Sequence, residues 1–363
     1  MRSIHHRLST CRKAGVTLVV AMLAGSAGAL AAEKAAGADD HSAHQGQAAH
    51  EMSANDLAIL RQKIPLYRQY TDAQINEGMA RMVDLEVYLS PAGVRNEVGV
   101  LALGHGYKEP GNTFFVGAFK PVAGKYPTAA GLGMAMMSSG HIQAAVDQLE
   151  KAGAKTIVAL PTEVGDDTSL IRQWSYIFGL SDESAYLDVP RVKSTAKILM
   201  ARTPTASPII GEILADYAKS AMRDAKDEVA MLVVHGPQEA EDNLKLLKIL
   251  AGHAATVKAA TGLSEVYYDS LQDDAPTAIR TANVNRMRDW ISKHTAAGHR
   301  VIVLQAIMTG QGGVSGRLRR DFDGLSYDLV DKGFTEHPLF DRWIDATVTA
   351  ELARAASLAP GVR

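Results

Sequence analysis

Cysteine is almost absent from this sequence of 363 residues, which contains only Cys11. Cys11 lies in an N-terminal segment that we expect to be removed, so the mature chain has no thiol. This excludes disulfide bonds, thiolate metal ligands and a cysteine nucleophile. The fold must therefore be held together by core packing.

Long apolar runs are also absent, except for one near the N terminus that is too short to span a bilayer. This run, residues 16–23, is preceded by basic side chains without any acidic one and is followed by a small-residue cleavage site at 29–31. The basic residues are Arg2, Arg7, Arg12 and Lys13. The pattern predicts an export signal over 1–31 and a periplasmic protein without a membrane span. The alternative is an uncleaved membrane anchor.

An excess of positive charge is missing from the mature chain. Loss of four basic residues leaves 34 of the 38 against 40 acidic residues, a net charge of −6. This balance does not favour nucleic acid as a partner. The glycine-rich stretch 310–313 is not followed by Lys-Ser or Lys-Thr, so it is not a phosphate-binding loop. No nucleophile-elbow motif for a serine hydrolase is present either.

What the sequence does contain is a repeated pattern. Two apolar runs end in His-Gly, at His105 and His235, which are 130 positions apart. Two further segments with the same offset, beginning at Ser207 and His337, each open an amphipathic stretch. Markers that recur at one period indicate a duplicated domain.

The order of the predicted elements gives the fold class. Short β-branched runs alternate with helical patterns, which is typical of parallel sheets with right-handed crossovers. We expect an α/β protein with two similar parallel-sheet domains, residues 97–222 and 228–352, related by internal duplication. A His-rich flexible tail over 32–54 and a helical lead-in over 55–96 precede them. We expect the lead-in to be helical to about Leu89.

His105 is the strongest candidate for a functional residue. It follows an apolar run, and ligands of open α/β sheets bind at the carboxyl ends of the strands. Gly104 and Gly106 allow a ligand to approach closely, and a neutral imidazole can bind a metal or accept a proton. The alternative is that His105 only caps a loop. His235 occupies the matching position and is either a second metal ligand or a residue retained for packing.

The residues around His105 resemble a known family. Gly104-His105-Gly106 precedes Lys-Glu-Pro and Asn112, a helical run ends near Gly153, a strand ends at Pro161, and Ser-Pro-Ile-Ile-Gly-Glu-Ile-Leu covers 207–214. Over roughly residues 97 to 350 the chain resembles the class II chelatases, which include the sirohydrochlorin cobaltochelatases and ferrochelatases, in their long form with two fused halves. The resemblance implies chelatase-like domains with a tetrapyrrole substrate in the cleft between them. It also implies a divalent ion (Co²⁺, Fe²⁺ or Ni²⁺) as a substrate, with His105 as its ligand and as proton acceptor.

The chain departs from the family pattern in the loop after the third strand, where the family has a second histidine. Residues 161–167 contain no histidine, and neither does the matching loop 308–314. Glu163 or Asp166 could replace it, because a carboxylate can bind a borderline cation and accept a proton. The related protoporphyrin ferrochelatases pair histidine with glutamate. We expect His105 and Glu163 to share one ion; the alternative is that Glu163 and Asp166 are solvated loop residues.

Each further candidate for a functional residue also has a purely structural interpretation. Arg317, at the mouth of the cleft, could hold the carboxylates of a tetrapyrrole or belong to an exposed helix start. His141 faces the cleft or opens a helix. The Met-rich segment 134–137 is interpreted as core packing rather than as soft metal ligands. The tail histidines are either weak metal ligands or part of a solvated linker; they are His41, His44 and His50.

Two functions of different classes follow. The first is a periplasmic chelatase. The second is a non-catalytic periplasmic protein that binds metal or tetrapyrrole and has kept the fold without the chemistry. A metal-independent hydrolase on the same scaffold has no motif to support it.

Overall fold

The computed structural model describes residues 52–80, 84–107 and 109–357. The predicted export signal, most of the predicted tail and the three tail histidines lie outside these residues. Within them, no helix is both long enough and apolar enough to cross a membrane.

The lead-in is helical over most of its described length. Helix α1 (Ala54–Lys63) begins at the last residue of the predicted tail, where the Ser53 hydroxyl caps it by accepting a hydrogen bond from the Asp56 N–H at 3.1 Å. A 3₁₀ turn, Pro65–Gln69, and helix α2, Asp72–Ala80, follow.

The prediction that the lead-in stays helical to Leu89 is wrong. Residues Leu85–Tyr88 form strand β1, which pairs antiparallel with a strand of the first half. The strand-forming residues Val87 and Tyr88 favour this pairing along an otherwise open sheet edge.

The first half alternates strands with helices. In chain order its elements are β2 (Val98–Gly104), α3 (Gly111–Ala123), β3 (Thr128–Leu132), α4 (Gly140–Lys151), β4 (Thr156–Pro161), α5 (Ser169–Ile177), β5 (Lys197–Met200) and α6 (Pro208–Ala221). The strands of the described residues lie in the order β1-β3-β2-β4-β5, and all pairs except β1–β3 are parallel.

The second half repeats this topology. Its elements are β6 (Glu228–Val234), α7 (Ala240–Thr261), β7 (Val266–Ser270), α8 (Thr277–Ala296), β8 (Arg300–Gln305), α9 (Gly313–Asp321), β9 (Asp328–Val330) and α10 (Leu339–Ser357). The order β7-β6-β8-β9 corresponds strand for strand to β3-β2-β4-β5. Two 3₁₀ turns, Pro204–Ala206 and Phe334–Glu336, precede the closing helices at equivalent positions. The α/β fold with two similar sheets is therefore confirmed, whereas the boundaries at 222 and 228 stay a prediction.

Apart from Glu228 at the start of β6, both central strands consist of apolar residues and glycine, because helices cover both faces of each sheet. In β2, Ala102 faces a core between the sheets and Leu103 faces an outer core beneath α4 and α5. In β6, Leu232 faces the shared core and Met231 faces a third core beneath α8 and α9. The continuous runs that suggested buried strands thus have a direct structural cause.

The closing helices are exchanged between the halves. Helix α6 packs against α7, β8 and β9 of the second half, whereas α10 packs against α3 and β4 of the first. The Tyr217 hydroxyl on α6 donates to the carbonyl of Gly333 at 2.9 Å, and the Phe340 ring on α10 lies 6.4 Å from that of Phe119. This exchange joins the two halves through one continuous apolar core.

Candidate functional site

His105 follows β2 directly, at the carboxyl edge of the first sheet. Its half-buried ring lies 4.6 Å from the ring of Tyr107. The Tyr107 N–H donates to Asn112 Oδ1 at 2.7 Å, which closes the loop against the start of α3. No carboxylate of the described residues lies within ion-pair distance of His105.

Tyr107 connects the His105 loop with the loop after β4. Its hydroxyl donates to the carbonyl of Thr162 at 3.2 Å. Burial, with a smaller contribution from the charge of Glu163, raises the pKa of this hydroxyl, so Tyr107 stays protonated. The Glu163 carboxylate accepts a hydrogen bond from the Val164 N–H at 2.8 Å. His105 and Glu163 thus flank one tyrosine, and their sharing of a metal ion stays a prediction.

The two positions beside His105 are occupied by glycine for different reasons. A Cβ at Gly104 would lie 2.8 Å from Leu132 Cδ2, so a side chain there would have to displace the end of Leu132. Gly106 has φ +82°, in the left-handed region, with only ordinary contacts around a hypothetical Cβ. Gly106 therefore serves the left-handed turn after His105, whereas Gly104 avoids crowding against Leu132.

Asp166, the other carboxylate proposed to replace the family histidine, is bound within its own loop region. Its Oδ2 lies 2.9 Å from Arg202 Nε, and its Oδ1 accepts from the Thr203 N–H at 2.7 Å. These contacts hold the segment that leads to α6. Glu163 is therefore the better placed of the two acids for chemistry.

His235 follows β6 and is surrounded by carboxylates. Its Nδ1 donates to the carbonyl of Gly236 at 3.0 Å, and its Nε2 lies 3.7 Å from Asp273 Oδ2. Asp274 Oδ2 lies 3.9 Å from Nδ1. Burial alone would lower the pKa of His235, but Asp274 and Asp273 more than offset it, so the pKa lies above its ordinary value.

Asp273 anchors a network of ion pairs. Its side chain is 4% exposed and lies 2.7 Å from Arg280 Nε and 2.8 Å from Arg317 Nε. Burial would raise the pKa of Asp273, but His235 and the two arginines lower it below its ordinary value. Arg280 also binds Asp321 through both terminal nitrogens. Arg317, proposed to hold a tetrapyrrole carboxylate, is thus engaged by a carboxylate of the protein.

His141 lies in the first turn of α4 and is buried. Its Nδ1 lies 3.2 Å from Asp84 Oδ2, and its ring packs against Gly131 and Gly133. Burial would raise the pKa of Asp84, but His141 and other hydrogen-bond donors lower it overall. The helix-start interpretation therefore fits His141 better than a position in the cleft.

The segments that follow β4 and β6 contact each other, since Arg172 Nη1 on α5 lies 3.1 Å from Asp242 Oδ2 on α7. The charge of Glu163 in the first half contributes to the raised pKa of His235 in the second, so the two groups lie within electrostatic reach. Burial and the charges of Asp274 and Glu163 also raise the pKa of the Tyr186 hydroxyl, in the loop after α5. Side chains from both halves therefore converge on one cleft.

The lead-in joins the edge of this cleft. Gln238 Nε2, three residues beyond His235, donates to the carbonyl of Lys63 at 3.0 Å. Burial, and to a smaller extent the charge of Asp274, raises the pKa of the Tyr67 hydroxyl. The methionines at the end of β3 pack against this lead-in, as the core-packing interpretation expected; they are Met134, Met136 and Met137.

Within the described part of the chain, no group of three or more His, Asp or Glu side chains converges as a ready metal site. The sequence-based search missed Asp273, Asp274 and the two cleft tyrosines, Tyr67 and Tyr186. Asp273 and Asp274 were detectable because they follow a strand, as Glu163 does. The tyrosines had no such signal, since their positions depend on how distant segments pack.

The fold as a whole resembles that of solved chelatases. Sirohydrochlorin chelatase SirB from Bacillus subtilis subspecies spizizenii, in complex with cobalt, superposes with a TM-score of 0.50 at 10% identity, covering 72% of this chain and 98% of SirB. SirB from Bacillus subtilis with Fe³⁺ gives a TM-score of 0.53 at 13% identity over the same shares. No protein-family model and no curated protein matches the chain. At these identities the likeness establishes a chelatase-like fold and nothing finer.

Proposed function

We propose that this protein is a chelatase that inserts a divalent metal ion, Co²⁺, Fe²⁺ or Ni²⁺, into a tetrapyrrole of the sirohydrochlorin class. The observation that carries the proposal is the contact between the chain after β4 and the helix after β6, where Arg172 on α5 lies 3.1 Å from Asp242 on α7. The likeness to SirB structures that hold cobalt or Fe³⁺ supports it.

His105 is the proposed metal ligand and proton acceptor. It lies at a strand end and is not paired with a carboxylate of the described residues. An imidazole side chain can bind a metal ion or accept a proton. His235 is less suited to this role, because Asp274 and Asp273 favour its protonated form and a metal would have to displace the proton.

The proton balance assigns a role to Glu163. Insertion of M²⁺ into the macrocycle releases two pyrrole protons, so the site needs two acceptors or one acceptor that passes protons to water. His105 is one acceptor, and the Glu163 carboxylate, on the other side of Tyr107, is the second. The protonated Tyr107 hydroxyl donates to the backbone and keeps the two loops together.

A direct assay tests the proposal. The purified full-length chain is incubated with sirohydrochlorin and Co²⁺, and the shift of the Soret band is followed. We expect insertion above the spontaneous rate and its loss in His105→Ala. A rate equal to that without protein would contradict the proposal.

A second candidate is a non-catalytic binding protein for metal or tetrapyrrole. It is favoured by the absence of a ready three-ligand group among the described residues. It predicts that sirohydrochlorin and Co²⁺ bind without any acceleration of insertion. Calorimetric titration beside the Soret assay distinguishes the two candidates.

We also propose that the protein acts in the periplasm, as the N-terminal basic and apolar segments indicate. Fractionation of cells that express the full-length chain tests this. Recovery of the whole chain, with residues 1–31 retained, in the cytoplasm would contradict it.

A further inference from the structure

The segment between α1 and α2 touches both halves of the molecule. Lys63 Nζ donates to the carbonyl of Ser184 in the first half at 2.8 Å, while the Lys63 carbonyl accepts from Gln238 of the second half. Six residues later, Gln69 Oε1 accepts a hydrogen bond from the Thr277 hydroxyl, at the start of α8, at 2.6 Å. Residues 63–69 therefore bridge the carboxyl edges of the two sheets.

The two attachments differ in kind. On the first half the lead-in is held by an apolar cluster in which buried Leu57, Leu60 and Ile64 pack with Met134. The hydrogen bonds that hold it to the second half come from half-buried Gln238 and exposed Thr277. Water can replace such polar partners, whereas separation of the apolar cluster would expose buried surface. The lead-in should therefore detach from the second half more readily than from the first half.

Tyr67 lies at the middle of this bridge. Tyr67 and Tyr186 of the first half pack against the same apolar cluster of the lead-in. The charge of Asp274 contributes to the raised pKa of both hydroxyls. Tyr186 in turn lies within reach of Glu163. Two aromatic side chains, one from the bridge and one from the loop after α5, therefore border the cleft beside the acidic groups.

We propose that residues 63–69 form a latch over the cleft, which stays anchored on the first half, releases from the second half to admit a flat organic ligand, and then places Tyr67 against that ligand. An aromatic ring beside a flat conjugated ligand provides stacking area. That the ligand is a tetrapyrrole rests on the proposed function; the movement of the latch does not.

A reversible crosslink tests the latch, because the chain needs only Cys11→Ser to become free of cysteine. Gln69→Cys and Thr277→Cys are introduced and joined by a short bismaleimide with a reducible disulfide. The control joins Lys125→Cys to Asp345→Cys, a surface pair elsewhere whose side chains lie 2.8 Å apart. We expect the latch crosslink to slow uptake of sirohydrochlorin at least tenfold, reduction to restore the rate, and the control crosslink to leave it unchanged. Equal rates for the locked and open forms would overturn the proposal.

A second measurement needs no ligand. Gln238→Leu with Thr277→Val removes both hydrogen bonds to the second half, and trypsin then reports access to the bond after Arg68. We expect at least fivefold faster cleavage there, with the melting temperature of the rest of the protein unchanged. An unchanged cleavage rate would overturn the latch. If no form binds sirohydrochlorin, the proposed function fails and the trypsin result alone decides the latch.

A matched pair of variants tests the role of Tyr67. Tyr67→Leu should weaken sirohydrochlorin binding at least fivefold, whereas Tyr70→Leu, at a 41% exposed position on the same segment, should leave it unchanged. Equal affinities of the two variants would remove Tyr67 from the site.

Discussion

The two His-Gly turns have the same backbone and different surroundings. Gly106 and Gly236 both adopt left-handed conformations, with φ of +82° and +76°, directly after the histidine that follows a central strand. His105 faces the Tyr107 ring. His235 faces two carboxylates, one of which belongs to an ion-pair network. The two positions thus keep the same turn, while one histidine faces an aromatic ring and the other joins a group of charged side chains.

The largest difference between the two histidines is expected in the rate of metal insertion. His105→Ala should reduce metal insertion at least about 100-fold, the range of a lost acid–base group, because it removes the proposed ligand and proton acceptor. His235→Ala should have a much smaller effect. The Soret assay measures both, with circular dichroism as a check on folding. If His235→Ala is the damaging change, the site belongs to the second half and the comparison reverses.

Asp273 and Glu163 should differ in how much each contributes to the free energy of unfolding. Asp273→Asn leaves Arg280 and Arg317 facing a buried neutral group, and we expect the free energy of unfolding to fall by about 3 kcal/mol. Glu163→Gln loses no ion pair that the structure shows, so a change below about 0.5 kcal/mol is expected. Urea unfolding measures both variants. Similar losses of stability in the two variants would mean that Glu163 also helps to stabilise the fold.

The pH dependence of stability should reveal the charge on His235. Because its pKa is raised in the folded protein, its contribution to stability is fully present below the unfolded value of about 6.5 and is lost as pH rises through the folded value. Wild type should therefore exceed His235→Gln in stability by more at about pH 5.5 than at about pH 9. Asp274→Asn should flatten this difference. A stability difference independent of pH would show that His235 is not held in its charged form.

The smallest effect is expected from the tail. Deletion of residues 32–50 removes His41, His44 and His50 but keeps the Ser53 cap of α1. The melting temperature should stay nearly the same, while the number of bound Ni²⁺ or Co²⁺ ions should fall. This separates metal held by the tail from metal held at His105. Equal stoichiometry with and without the tail would assign all binding to the folded part.

The sequence predicted the elements that are buried and continuous. The apolar runs that end in His-Gly at His105 and His235 form β2 and β6, and the strand expected to end at Pro161 is β4. Their apolar runs leave little choice of conformation. Strands β5 and β9 were missed because they are only four and three residues long and partly exposed, so no period could be established.

The site was less predictable than the fold. His105, Glu163 and His235 could be proposed as site residues because each follows an apolar run. Nothing in the sequence indicated that Asp273 would join Arg317, 44 positions away, or that Asp84 would pair with His141. Such contacts depend on long-range packing, which periodicity within a segment does not encode. For the same reason the amphipathic pattern that begins at Ser207 predicted helix α6. It did not predict that α6 packs on the second half.

The exchange of α6 and α10 makes the molecule a covalently fused counterpart of a domain-swapped dimer. Neither half can unfold alone without removing a helix from the other, so the two sheets should melt in one cooperative transition although each has the size of an independent domain. A chain cut between residues 222 and 228 would yield two fragments that are each incomplete and complementary. Reassembly of the mixed fragments, and not the folding of either one, is then the expected route back to the native structure.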